Sequence, residues 1–307
     1  MGIVVIGAIF LDIKGYPLYK YIPSGRNQGK IMHVYGGVCH NVVKDIAMLG
    51  LSPTFVSLVD TTPTGKAIIE NIRSFGVNTD YIAIEPDGMG TWLAVFDETG
   101  DVVASISKRP VLQPIADIYD KHGDEIFKDC DAVVIEIDID EDVVAKTFEY
   151  AEKYHKDVYA IVSNMSIARS RSHYVQKLRC LVCNQQEAAL FFNDPAMEYD
   201  DERTMIKKLP DLIQKENVHS MVVTMGSRGA AYAAQDGTLG FVHANKVEVV
   251  DTTGAGDAFL AGGATGLTYG LDLRDSCRLA SRMSEAVITT AENIITKIDT
   301  SDFELKK

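Results

Sequence analysis

The chain lacks any apolar run long enough to cross a bilayer. Its most apolar opening, MGIVVIGAIFLD, falls well short of the ~20 residues a span requires. It has no basic leader, so it reads as a buried first strand rather than a signal peptide. Gly2 is followed by Ile6 where a myristoylation motif needs Ser or Thr. Basic clusters are also missing: no Lys/Arg run exceeds a doublet, and 43 acidic residues against 30 basic ones give a net charge of −13. That balance argues against nucleic acid and anionic membrane as partners. Cysteine is sparse and odd in number, five in all, which favours reduced thiols and a cytoplasmic address. Cys180 and Cys183 form one C-x-x-C, but no second pair or nearby histidine completes a zinc site. The seven histidines form no H-x-H or HExxH. Repeats, low-complexity tracts and long linkers are absent too.

What is present is enough apolar sequence, 46% of the chain, for a sizeable core in one large domain or two. The most informative stretch is Val250–Gly266, VDTTGAGDAFLAGGATG, which reads as an apolar strand, a glycine turn and a helix of small and apolar residues. Gly254 and Gly256 let the backbone turn tightly, and the N–H groups opening the helix, including that of Ala255, point into the turn unpaired. Such a turn holds an anion. Asp257 would repel a bound phosphate unless it accepts a proton from the group that attacks it, which suggests phosphoryl transfer. The alternative is a steric turn with an ordinary helix N-terminal charge.

The stretch resembles the DTxGAGDxF signature of the pfkB, or ribokinase-like, family of sugar and nucleoside kinases and matches every defining position. The resemblance implies Asp257 as the base, with Gly254, Ala255 and Gly256 as the anion hole. It implies ATP as donor, Mg²⁺ as cofactor, and in some members K⁺, for which Asp251 and Thr253 stand at matching positions.

The opening run reads as a continuous strand in the middle of a parallel sheet, with Asp12 just past its end, where open α/β sheets bind ligands. Residues 13–35 are punctuated by glycine and proline and end in alternating KIMHVY; residues 91–107 read as two strands about Glu98-Thr99-Gly100. These two segments predict a small separate sheet. In the resembled family it is the lid over the sugar. The expected division is an α/β domain of 1–12, 36–90 and 108–307 with a β lid of 13–35 and 91–107. From about Asp117 strands and helices alternate, which demands parallel pairing with right-handed crossovers. The expected fold is a three-layer, doubly wound, mostly parallel α/β sheet with a small β-sheet lid.

Gly36-Gly37 followed by Asn41 could be a helix-entry turn. It also matches the family's first signature, though Val43 replaces the usual small residue. The resemblance places Asp12, Gly36, Gly37 and Asn41 on the substrate. Asp12 only accepts and Asn41 both donates and accepts, a pair suited to vicinal hydroxyls. TPTGKA is no P-loop: it lacks the first glycine, and Ala67 stands where Ser or Thr would hold magnesium. Asn184 and Glu187 read either as an N-cap with its capping-box partner or, by resemblance, as the N-x-x-E motif that orders water around nucleotide-bound Mg²⁺. There Cys183 replaces a frequent proline. Thr224, Gly226 and Gly229 resemble the loop at the ATP phosphates and ribose, while Ser163-Asn164 departs from the family pattern. The last helix, residues 274–296, would flank the adenine.

The spacing in NQGKIMHVYGGVCHN and the pattern of TWLAVFDETGDVVASIS most resemble pseudouridine kinases. The expected activity is ATP-dependent phosphorylation of the primary hydroxyl of a ribosyl compound, with pseudouridine first. A ribokinase- or fructokinase-type sugar kinase and a catalytically silent relative are the alternatives. The partners expected are a small sugar or nucleoside and a second copy of the chain, joined through the lid.

Overall fold

Strand β1 (Ile3–Ile6) is buried on both faces: Val4 and Ile6 enter one apolar cluster, Ile3 and Val5 the other. That double burial is why the segment is uniformly apolar rather than alternating. The structure, a computed structural model, describes residues 2–290 and 292–306. After β1 come β2 (Phe10–Pro17), β3 (Gly29–Gly36), α1 (Val38–Met48), β4 (Thr54–Val59), α2 (Pro63–Ser74), β5 (Ile82–Ile84), β6 (Gly90–Phe96) and β7 (Val102–Lys108). The next elements are α3 (Pro114–Lys128), β8 (Ala132–Glu136), α4 (Glu141–Lys153), β9 (Val158–Ile161), α5 (Met165–Ser170), α6 (Ser172–Val175), β10 (Cys180–Asn184) and α7 (Gln185–Phe192). The chain then forms α8 (Glu202–Lys215), β11 (Ser220–Thr224), β12 (Gly229–Ala234), β13 (Leu239–His243), α9 (Ala255–Thr268) and α10 (Leu273–Ile288).

The main sheet runs β13-β12-β11-β10-β9-β8-β1-β4-β5. Strands β5 through β11 pair in parallel, and β12 and β13 extend the edge antiparallel. Ile115, Val143, Ala188 and Met205 of α3, α4, α7 and α8 cover one face; Val42, Ile68, Phe259 and Leu279 of α1, α2, α9 and α10 cover the other. The result is the expected three-layer α/β architecture. Cys180 and Cys183 fall in opposite clusters, because residues three apart on a strand face opposite ways. All five thiols are free and buried, so the C-x-x-C is core. TPTGKA opens α2, with Thr62 as N-cap and Pro63 in its first turn. Among the described residues no helix is long and apolar enough to cross a membrane.

A second sheet, ordered β3-β2-β6-β7, joins two antiparallel pairs through parallel pairing of β2 with β6. Asp12, Lys14 and Tyr16 lie on one of its faces, with Trp92 directly across from Asp12 and Tyr16 stacked on Phe96 at 4.5 Å. Ile13, Leu93 and Ile106 lie in register on the opposite face, where Ile106 is 70% exposed.

Three sequence expectations need correction. The opening run is not one strand: β1 stops at Ile6, and a side chain at Gly7 would lie 2.5 Å from Cys39 Sγ. The chain turns there and re-enters as β2 of the second sheet, because the polar alternation of Asp12 and Lys14 suits a sheet covered on one face. Phe10, Leu11, Asp12 and Gly36, and also Gly90 and Lys108, are therefore strand residues of the second sheet. Nor is there a strand leading into the glycine turn. Residues 244–250 form none, and Val249 and Val250 are 54% and 59% exposed, because the β12–β13 hairpin already occupies that sheet edge. Finally, the last helix ends at Ile288, short of the expected 296.

Candidate active site

Asp251 begins the glycine turn, its Oδ1 accepting the N–H and hydroxyl of Thr253 at 2.9 and 2.8 Å. Gly254 follows at φ 83° as the N-cap of α9, and a Cβ there would lie 2.2 Å from the carbonyl oxygen of Asn293. Glycine is required at 254 by both conformation and space. At Gly256 a Cβ would meet nothing within 4 Å, so the turn is open on that side. The N–H of Ala255, expected to be unpaired, donates to the Thr252 carbonyl at 3.3 Å, whereas those of Gly256 and Asp257 have no acceptor among the described residues, which leaves two helix donors beside the dipole for an anion.

Asp257 stands in the first turn of α9, and its Oδ2 accepts the side-chain N–H of Asn41 at 2.7 Å. Burial pushes its carboxyl up from 3.8 to about 7, the Asn41 bond opposes this, and the charge of Glu136 adds to it. A carboxyl poised near neutrality is matched to general-base work. Asn41 Oδ1 in turn faces the Nδ1 of buried His40 at 3.2 Å. Burial drives His40 down to about 3, so it is neutral. The Asn41 amide thus orients the carboxylate.

Gly37, at φ 102°, is the N-cap of α1 and brings Asn41 into the site. A Cβ on Gly36 would lie 2.5 Å from Asp12 Oδ2, so the glycine is what lets the Asp12 carboxylate seat against β3. Burial raises Asp12 to about 6, with Lys14 pulling it back. Burial, with the charge of Asp251 second, raises the phenol of Tyr16, which shares a face of the second sheet with Asp12.

Sequence reasoning missed Glu136. It closes β8, next to β1 in the middle of the sheet, and burial followed by repulsion from Asp138 raises it to about 7. It accepts the backbone N–H of Ala8 and the hydroxyl of Ser163, each at 3.3 Å. The available signal was an acidic residue ending the apolar run AVVIE; such charges are seldom buried without a use.

On the other side of the turn a cavity of about 610 Å³ brings Thr224, Gly226 and Gly229 together with Ala255 and Gly256. Its remaining walls include Val247, Val249, Ser284 and Ile288, so the valines expected in a strand line a pocket instead. Gly229 has a second constraint, since a Cβ there would lie 1.9 Å from the carbonyl oxygen of Val242 across the hairpin. Asn184 and Glu187 form a full capping box, with bonds of 2.9 and 2.8 Å between each side chain and the other's backbone N–H. They flank Thr224 through the β10–β11 pairing, opposite Asn184, but do not line the cavity. Among the described residues no group of three or more His, Cys, Asp or Glu side chains is placed to hold a metal ion.

Residues 2–300 match the profile of the pfkB family carbohydrate kinases. The chain belongs to that family. It is 30% identical over 293 residues to the guanosine-inosine kinase of Exiguobacterium acetylicum, covering 95% of each chain. It is 25% identical to the pseudouridine kinase of Escherichia coli, covering 94% of this chain and 90% of that one. In fold it resembles the Arabidopsis thaliana ribokinase complexed with ribose and ATP, with a TM-score of 0.79 at 20% identity over 94% of this chain and 93% of that one. It also resembles the Cryptococcus neoformans ribokinase in complex with ADP, with a TM-score of 0.76 at 18% identity over 96% and 97%. The chain is therefore a kinase of the pfkB type, with a ribokinase-like fold.

Proposed function

We propose that this kinase transfers the γ-phosphoryl group of ATP to the 5′-hydroxyl of a ribonucleoside. The observation that carries the reading is Asp257, a carboxyl raised to about 7 at a helix N-terminus with two free N–H donors. It follows directly on Ala255 and Gly256, which line the 610 Å³ cavity, and the charge of Glu136 acts on it. In this scheme the Asp257 carboxylate takes the proton of the 5′-hydroxyl, whose oxygen bonds to the γ-phosphorus. The bond to the β–γ bridging oxygen breaks, and ADP leaves with that electron pair. The free N–H groups of Gly256 and Asp257 receive the negative charge that develops on the phosphoryl oxygens.

The cavity suits ATP: Thr224, Gly226 and Gly229 offer close backbone approach to phosphates and ribose, and Val247, Val249 and Ile288 give the adenine an apolar enclosure. Mg²⁺ would neutralise the β and γ oxygens, with Glu187 acting on it through water. That fits the few protein carboxylates near the turn, since Mg²⁺ is commonly held by phosphates and waters. Asp251 Oδ2 and the Thr253 hydroxyl are suited to K⁺ beside the turn. Asp12 accepts from the ribose hydroxyls with Gly36 and Gly37 beneath, and Asn41 acts through Asp257. The second sheet serves as the lid, and its outward apolar face pairs two copies of the chain. Free thiols and ATP use suit the cytoplasm.

Guanosine, inosine and pseudouridine, the nucleosides named in the two curated relatives, are the substrates to test first. All three carry a ring carbonyl beside a ring N–H. Ribose is the second reading, favoured by 27% identity to the ribokinase of Schizosaccharomyces pombe over 94% of this chain. ADP release with ATP and magnesium across these nucleosides, uridine, adenosine, ribose, fructose and fructose phosphates separates the two. Turnover of free pentoses alone would overturn the nucleoside assignment.

A further inference from the structure

Glu136 also lines a second cavity, about 300 Å³, whose walls include Phe10, Arg109, Asp138, Glu141 and Arg171. Of its five other charged side chains, Asp140 accepts the Leu112 N–H at 2.6 Å, and the remaining four form two pairs built alike. Asp138 has a fully buried side chain, accepts the Ser163 N–H at 3.1 Å, and stands 3.4 Å from Arg109, which is 51% exposed. Arg171 is 14% exposed, donates to the carbonyl oxygens of Ile137 and Ile139 at 2.8 and 2.7 Å, and stands 3.8 Å from Glu141, which is 63% exposed. In each pair the buried member is fixed by the backbone and holds the exposed one toward the cavity. The exposed members are one pure donor and one pure acceptor.

We propose that Arg109 and Glu141 read the nucleobase, selecting bases that present a ring carbonyl beside a ring N–H over those that present an amino group beside an unprotonated ring nitrogen. The proposal rests on the nucleoside-kinase reading above. Ala8 and Glu136 connect the two regions: both line this cavity, the Glu136 carboxylate accepts the Ala8 N–H at 3.3 Å, and Gly37, packed so closely on Ala8 that a Cβ would lie 2.6 Å from its carbonyl oxygen, caps the helix whose Asn41 holds Asp257. A ribosyl group with its 5′-hydroxyl at Asp257 therefore points its base at this cavity, with the Phe10 ring as an apolar wall. Arginine donates to adjacent carbonyl and ring-nitrogen acceptors, as it does to guanine, and a carboxylate takes the neighbouring N–H. With the sugar anchored at its far end, one orientation about the glycosidic bond sets the ring carbonyl at Arg109 and the ring N–H at Glu141. Adenine or cytosine would then set an amino donor against Arg109 and a lone pair against Glu141. Neither mismatch is relieved, because guanidinium has no acceptor and carboxylate no donor.

The test measures kcat and KM with ATP, and nucleoside affinity without ATP by titration calorimetry. The substrates are inosine, guanosine, pseudouridine, adenosine and cytidine; the proteins are wild type, Arg109→Ala, Arg109→Lys and Glu141→Ala, each checked for fold by circular dichroism. The wild type should favour the first three nucleosides by at least about tenfold in kcat/KM. Each alanine variant should lose about tenfold or more on inosine in both KM and calorimetric affinity, with kcat little changed and adenosine little affected. Arg109→Lys, which keeps a charge but not the fork, should fall in between. Equal use of adenosine and inosine by the wild type, or unchanged inosine affinity in both alanine variants, would overturn base reading while leaving nucleoside phosphorylation standing. Turnover of pentoses with no nucleoside turned over would overturn both.

Discussion

Replacing Asp257 with asparagine should make the protein more stable and far less active, and the stability gain should depend on pH. The carboxyl rises from 3.8 to about 7 chiefly by burial, so the folded state binds its proton more tightly than the unfolded chain. Stability from this group is complete below about 3.8 and falls as pH climbs toward about 7. At 1.36 kcal/mol per pKa unit the gap corresponds to about 4 kcal/mol, and the partial exposure of the residue reduces this to about 2 kcal/mol. Asparagine avoids that cost and can still accept the Asn41 N–H through its carbonyl oxygen. Thermal unfolding should show a melting temperature about 4 °C above wild type at pH 8, shrinking toward pH 5 as the wild-type carboxyl takes up its proton. Turnover should fall by about 10²–10⁴-fold, and wild-type kcat/KM should rise with pH to a plateau above about 7. A variant melting at or below wild type at pH 8, or one gaining equally at both pH values, would refute burial as the cause. Activity above about a tenth of wild type would refute the base assignment.

Asp12→Ala should reduce kcat/KM for the best ribosyl substrate and abolish discrimination against its 2′- and 3′-deoxy analogues; steady-state kinetics showing equal use of deoxy and parent compounds by the wild type would remove Asp12 from the sugar. Gly254→Ala should impair folding, because a Cβ meets the Asn293 carbonyl at 2.2 Å, whereas Gly256→Ala has open space and should melt like wild type while losing nucleotide affinity and turnover. A Gly256→Ala enzyme with normal KM for ATP would show that nothing approaches the turn there. The lid face carrying Ile13, Leu93 and Ile106 should be buried in a homodimer, so sedimentation should give a dimer that Ile106→Glu dissociates; a wild-type monomer well above micromolar concentration contradicts this.

How far the sequence could be read depended on whether each residue's reason was local. The Gly254 turn, Asp257 in the first turn of α9 and the paired strands of the second sheet are set by neighbours in the chain, and their patterns were legible. Asn41 stood out through its spacing to Gly36-Gly37, but its bond to Asp257 did not, because that bond spans 216 residues and no spacing rule reaches that far. Glu136 carried only a faint local signal, the acidic end of AVVIE, and its charge reaches Asp257 only through the sheet order, with β8 beside β1. The apolar VEVV before the turn has the composition of a strand and is none, since β13 already ends the sheet and Val249 serves a cavity wall. Likewise Asp12 follows an apolar run, but its alternation with Lys14 belonged to the second sheet. The Asn184–Glu187 spacing read two ways in the sequence, and the structure shows the capping box.

The most direct test of the account is the position of the phosphate on the product. Inosine, guanosine and pseudouridine are each incubated with enzyme, ATP and magnesium, the products are resolved by phosphorus and proton NMR, and the 5′-deoxy analogue of the best substrate is run beside them. The account predicts a single 5′-monophosphate with one ADP formed per product, and no product from the 5′-deoxy compound. A phosphate on the 2′- or 3′-oxygen, or ADP formation that persists with the 5′-deoxy analogue, would contradict the placement of the 5′-hydroxyl at Asp257.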